Sequence, residues 1–174
     1  HKEIIRQIED GTLIDNLYKL FNDKLTHLSI WGTEPTLTLP VVENKLDYIL
    51  NLFPKLRKIH FSTNMLARTE TIHNFINKIN QIMIQKPDRK MEIQIQMSLD
   101  GPKEITDYNR KENSTEIIVS NIIKLAQFLS TTELSDNFNI SLIFKPTMCA
   151  ENIDFFLNQN GTEKYFDFFN DLIG

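Results

Sequence analysis

The chain has 174 residues, which suits one domain with a buried core, and its 41% hydrophobic and 24% charged residues are ordinary for a globular protein. Its net charge of −4 argues against a nucleic-acid partner, which wants a basic face. The single cysteine, Cys149, excludes an internal disulfide and points to a reducing, cytoplasmic setting, and no apolar run approaches the roughly 20 residues that span a bilayer.

Residues 3 to 22 carry apolar side chains at helical spacing, from Ile4, Ile5 and Ile8 to Leu17, Leu20 and Phe21, with Gly11 as the break between two pieces. Residues 25 to 31 read as a strand. Pro40 starts a helix whose apolar side holds Val41, Val42, Leu46, Ile49, Leu50 and Phe53. A second strand covers 58 to 64, and an amphipathic helix follows with Ile72, Phe75, Ile76, Ile79, Ile82 and Met83. Pro87-Asp88 makes a turn before a third strand over 91 to 99. Ser114 is placed to cap a helix that carries Ile117, Ile118, Ile122, Leu125 and Leu129. Residues 138 to 145 form a fourth strand, and the aromatic tail, 151 to 173, is helical with an interruption near Gly161.

Strands alternate with helices at about 30 to 45 residues per unit, the size of βαβ repeats, which predicts an α/β fold with a parallel sheet in a single domain, 1–174. Strands buried on both faces read as continuous apolar runs. These alternate instead. Met91, Ile93, Ile95, Met97 and Leu99 oppose Glu92, Gln94, Gln96, Ser98 and Asp100, and Ile59 and Phe61 oppose His60, Ser62 and Asn64. One face is thus apolar under helices and the other is polar along its length. A polar face turned inward is costly unless it meets water or ligand. The pattern predicts a partial TIM-like (β/α) barrel around a wet or ligand-filled lumen, with a flat sheet washed on one side as the alternative.

Ligands of such folds bind at the carboxyl ends of the strands. Here those ends are Gly32-Thr33-Glu34-Pro35, Ser62-Thr63-Asn64, Ser98-Leu99-Asp100-Gly101-Pro102 and Lys145-Pro146-Thr147. Exposed carbonyls beside a glycine can accept from an ammonium group, Glu34 can add a charge-assisted bond, and Arg110 can grip a carboxylate bidentately. An amino-acid head group would find both partners on one rim.

These motifs resemble a known family. The stretch WGTEP is similar to the Gly-Gly-Glu-Pro motif of radical S-adenosylmethionine enzymes, with Thr33 at the second glycine. FSTN resembles the strand that often ends Thr-Asn-Gly, with Met65 at the glycine, and MSLDGP followed by EITDYNR resembles the pattern of the peptide- and protein-modifying branch, which often carries an auxiliary-cluster (SPASM-type) domain. The order holds over a core of about 25–158. The resemblance implies that backbone from Gly32 through Thr33 and Glu34 to Pro35 binds the methionyl ammonium, that Ser98 meets the ribose and Arg110 the methionyl carboxylate, and that Asn64 and Asp100 lie near nucleoside or substrate. It also implies a 4Fe-4S cluster, an electron donor, a 5′-deoxyadenosyl radical and a peptide or protein substrate. The family holds its cluster on a Cys-x-x-x-Cys-x-x-Cys loop, and one cysteine cannot do this. No residue of this sequence is therefore expected to ligate a metal. The expected first strand and cluster loop are absent, with HKEI read as the stretch just past that loop, so the chain alone is expected to be inactive.

Two other functions fit the same residues. A degenerate barrel can bind a peptide or nucleoside without catalysis. A glycoside hydrolase can use Glu34 and Asp100 as its two carboxylates, with Trp31 as the one sugar-stacking aromatic at the rim. Elsewhere the plainer roles are expected. His27 and His60 belong to the sheet wall, Cys149 fills a small buried space, and the plainer role of Arg110 is a surface arginine paired with Glu112 or Asp107.

Overall fold

The computed structural model describes residues 2–158 and 160–173, so His1, which opens the HKEI stretch, lies outside the described residues. The elements run α1 (Lys2–Glu9), α2 (Thr12–Phe21), β1 (His27–Ile30), α3 (Leu39–Asn44), α4 (Leu46–Leu52), β2 (Lys58–Thr63), α5 (Glu70–Gln85), β3 (Met91–Met97), α6 (Lys103–Asn109), α7 (Ser114–Thr131), β4 (Phe138–Phe144), α8 (Ile153–Leu157) and α9 (Gly161–Ile173). The four strands form one parallel sheet in the order β1-β2-β3-β4. Doubly wound sheets reverse their strand order at a switch point, and this one does not.

The alternation in the strands is what places the helices. Ile59 and Phe61 of β2 lie level with Ile93 and Ile95 of β3, and these with Ile140 and Leu142 of β4. In β2 and β3 this row is buried, in one core with Val42 and Leu46, with Ile72, Phe75, Ile76 and Ile79 of α5, and with Ile118, Ile122 and Leu125 of α7. Phe61 meets Phe75 edge to face, ring centroids 6.0 Å apart. Phe168, Phe169 and Leu172 of α9 pack on the same core beside β4. The opposite face keeps His60, Ser62, Gln94, Gln96 and Ser98 half-buried.

Several expectations need correcting. The helix expected from Pro40 is two, because Lys45 (φ −105°, ψ 1°) interrupts it between α3 and α4. Residues 103–109, to which the sequence pattern assigns no element, form α6. Ser114 is not the cap of α7. Asn113 stands at that position with φ 63°, and Asp107 of α6 does the capping, accepting from Asn113 N, Thr115 N and Thr115 Oγ1 at 2.8, 2.8 and 2.6 Å. Cys149 is half-exposed rather than a buried filler, with Sγ 2.9 Å from Asn152 Oδ1. No helix among the described residues is long and apolar enough to cross a membrane.

Candidate functional site

β1 ends at Ile30, after which Trp31, Gly32 and Thr33 stay exposed and Glu34, Pro35 and Thr36 dive inward. Pro35 opens a 3-10 turn (Pro35–Leu37), where its fixed φ suits the first position and its missing N–H costs nothing. Glu34 caps that turn. Its Oε1 accepts from Thr36 Oγ1 (2.6 Å) and Thr36 N (3.3 Å), and its Oε2 accepts from Asn64 N at 2.9 Å. The buried carboxylate therefore ties the end of β1 to the end of β2, while Trp31, Gly32 and Thr33 stay exposed. Glu34→Gln replaces one accepting oxygen with an amide donor facing N–H or O–H partners. Unsatisfied buried donors cost about 1–3 kcal/mol each. Urea unfolding should show a loss of about 2 kcal/mol, and an unchanged midpoint would refute this role.

Gly32 has open space around it. A Cβ built there meets nothing within 4 Å, and its φ lies outside the left-handed range. The chain itself therefore gives no steric reason for glycine at this position. Next along the rim, Asn64 Oδ1 accepts from Leu66 N at 2.9 Å, closing the turn after β2. Inside that turn Met65 is buried and adopts φ 55°, a left-handed backbone that costs a side-chain-bearing residue about 1–2 kcal/mol. Asn121 of α7 holds the turn by donating to Met65 O and Ala67 O.

At the end of β3, Asp100 is 0% exposed, accepts two hydrogen bonds on Oδ1 and pairs its Oδ2 with the Arg110 charge. Arg110 Nη2 lies 2.9 Å from Oδ1, Arg110 Nε lies 2.8 Å from Oδ2 but off the line of a good hydrogen bond, and Thr147 N donates to Oδ1 at 2.7 Å. Arg110, at the C-terminal end of α6, is thus held by Asp100 and not by Glu112 or Asp107. Ser98 continues the ladder from Thr63 O through its N–H and keeps its hydroxyl on the polar face. Tyr165 of α9 closes the cluster from the far end of the chain. A Cβ on Gly101 (φ 145°) would sit 2.7 Å from the Tyr165 ring. Burial, and then the Asp100 charge, push the Tyr165 phenol above its ordinary value.

The polar face carries one more cluster. Trp31 lies just beyond β1 and Lys145 just beyond β4, with two strands between them. Strands spaced about 4.8 Å apart put those backbones about 14 Å apart in a flat sheet. The Lys145 Nζ nevertheless sits 5.9 Å from the Trp31 ring centroid, so the two side chains close over the face. Trp31 also packs on His60, ring centroids 5.5 Å apart. Burial first, and then the Lys58 and Lys145 charges, hold His60 below its ordinary pKa.

All eight residues singled out from the sequence thus stand at the carboxyl end of the sheet or just after it. The structure brings Glu34 to Asn64 and Asp100 to Arg110. It adds Tyr165, which had no local signal at all, and brings Lys145 over Trp31, both of them strand-end residues in the sequence. His27 is exposed and His60 half-buried. No group of three or more His, Cys, Asp or Glu side chains able to hold a metal ion occurs among the described residues. Comparison with protein-family models, curated proteins and solved structures finds no match to this chain.

Proposed function

We propose that this chain is the S-adenosylmethionine-binding partial (β/α) barrel of a radical enzyme that modifies a peptide or protein. The observation that carries the reading is the open Gly32 loop at the end of the first strand, with its glutamate folded back onto the N–H of Asn64. An ammonium group can approach carbonyls there at hydrogen-bond distance because no side chain stands over Gly32. Further support comes from Met65, whose left-handed backbone sits where the Thr-Asn-Gly pattern places glycine. The sequential parallel order under one helical layer, and the lean of Lys145 toward Trp31, suit a sheet curled around its polar face.

In this reading the Gly32-to-Pro35 backbone binds the methionyl ammonium and Glu34 holds that backbone in shape. Ser98 offers its hydroxyl to the ribose. Asn64 and Asp100 shape the nucleoside edge, Asp100 acting through Arg110 and the Thr147 N–H. The chemistry such a cofactor would supply is hydrogen-atom abstraction from the substrate, and the part proposed for these residues is to hold and orient the S-adenosylmethionine. These residues do not fit the 4Fe-4S cluster itself, since one cysteine cannot replace several thiolates. The same shortage of thiols favours, as a second reading, a binding module that never turns over. The hydrolase reading gains nothing, because both carboxylates are already engaged by the chain.

The test is titration of the chain with S-adenosylmethionine and with S-adenosylhomocysteine, followed by the fluorescence of Trp31, its one tryptophan. Saturable quenching is expected. Gly32→Ala should weaken it at least about tenfold, since a methyl group there removes one or more charge-assisted contacts, while the melting temperature stays within about 1 °C because the methyl meets no protein atom. Absence of saturable binding by either compound would refute the proposal.

A further inference from the structure

The amino end of the sheet, opposite the rim just described, holds a cavity of about 660 Å³. Its walls are the turn before β2, with Pro54 and Arg57, and the connection from α5 to β3, Gln85 to Lys90. Four cations, Arg57, Lys86, Arg89 and Lys90, face one carboxylate, Asp88, in a chain whose net charge is −4. That concentration of positive charge stands apart from the rest of the composition.

The backbone of the connection is oriented as well. Asn137 Nδ2, just before β4, lies within hydrogen-bond distance of four carbonyls on the inner side of the loop: Met83 (3.2 Å), Lys86 (2.9 Å), Pro87 (3.3 Å) and Arg89 (2.7 Å). All described peptide bonds are trans, and in a trans peptide the N–H points opposite to the C=O. Turning the Pro87 and Arg89 carbonyls toward Asn137 therefore turns the Asp88 and Lys90 N–H groups away from it. Neither N–H finds a backbone acceptor among the described residues. Two N–H groups without a backbone acceptor, two residues apart and framed by cations, are donors of the kind from which backbone anion sites are built.

The cations are held in place to different degrees. Arg89 is a fixed charge, its guanidinium donating to Leu50, Phe53 and Leu56 carbonyls at 2.5, 2.8 and 2.9 Å. Lys86 Nζ leans on the neutral Asn51 Oδ1 at 2.7 Å, which leaves its charge uncompensated. Arg57 and Lys90 are exposed on the two walls. Arg57 also passes its carbonyl to Glu92 N and its N–H to Thr26 O, so its backbone is anchored on both sides.

We propose that this cavity is a binding site for a phosphate group carried by a small molecule, with the Asp88 and Lys90 N–H groups and the Arg57, Lys86 and Lys90 side chains as donors. A tetrahedral dianion has oxygens enough for that donor set, and guanidinium with ammonium is the pairing that phosphate recognition favours. The site is independent of the one at the opposite rim.

The probes are inorganic phosphate and pyrophosphate, titrated at constant ionic strength into the isotopically labelled chain, with chloride as control. Saturable shifts of the Asp88 and Lys90 amide resonances are expected, with pyrophosphate binding more tightly than phosphate. Arg57→Gln and Lys90→Gln should each weaken binding about tenfold, the loss of one charge-assisted contact. Lys124→Gln, far from this connection in the sequence, should leave it unchanged. Both test variants alter exposed side chains, and their spectra report whether the fold is kept. Linear, unsaturated shifts equal to those in chloride, or equal weakening by Lys124→Gln, would overturn the proposal.

Discussion

Asp100→Ala is expected to destabilise the chain by about 3–5 kcal/mol, the cost of leaving one partner of a buried ion pair without the other. The half-buried Arg110 guanidinium would keep its place with no counter-charge, and Thr147 N would lose its acceptor. Replacing both ends removes the charge altogether, so Asp100→Leu combined with Arg110→Leu should recover at least half of that loss. Urea unfolding followed by circular dichroism gives both numbers. A single substitution costing under about 1 kcal/mol would mean that the pair contributes no more than an exposed one, and the strand-end cluster would then have to be held by other contacts.

Gly161→Ala should be nearly as damaging for a different reason. A methyl group there would lie 1.8 Å from the Phe155 carbonyl oxygen, well inside contact distance and against backbone that cannot swing aside. Overpacking costs about 1–3 kcal/mol where side chains can adjust, so a backbone collision of this depth should cost at least about 3 kcal/mol. The effect has an address. α8 and α9 must part, which withdraws Tyr165 from Gly101 and Phe169 from Phe144, whose ring centroids lie 5.4 Å apart. Limited proteolysis should cut the variant between α8 and α9 at concentrations that leave the parent whole. Equal resistance in the two would show that the helices meet differently.

The strands and their faces were legible because a period of two in side-chain character is a local property. Ile93, Gln94, Ile95 and Gln96 announce which side is covered without reference to any other part of the chain. The strand-end loops were legible for a similar reason, since Gly, Pro and polar residues crowd where extended backbone must turn. What escaped the sequence was settled by distance in space. α6 has only Ile105 and Thr106 buried among seven residues, too few to show a helical period. Asp107 caps a helix on which it does not lie, and Tyr165 reaches Gly101 across 64 positions. The partner of Arg110 could not be read from spacing either: Asp107, Glu112 and Asp100 are all near in sequence, and burial chose the one that had no water.

The sheet adds its strands in the order in which they are synthesised. Each of β2, β3 and β4 pairs with the strand made just before it, and the intervening helix packs on the surface that pair creates. Assembly can therefore proceed one unit at a time from the amino end, with loop closures of a few tens of residues rather than the length of the chain. A nascent chain arrested after β3 should already protect the β2 amides from hydrogen exchange, while α9, which packs beside the last strand to emerge, should be the final element to gain protection.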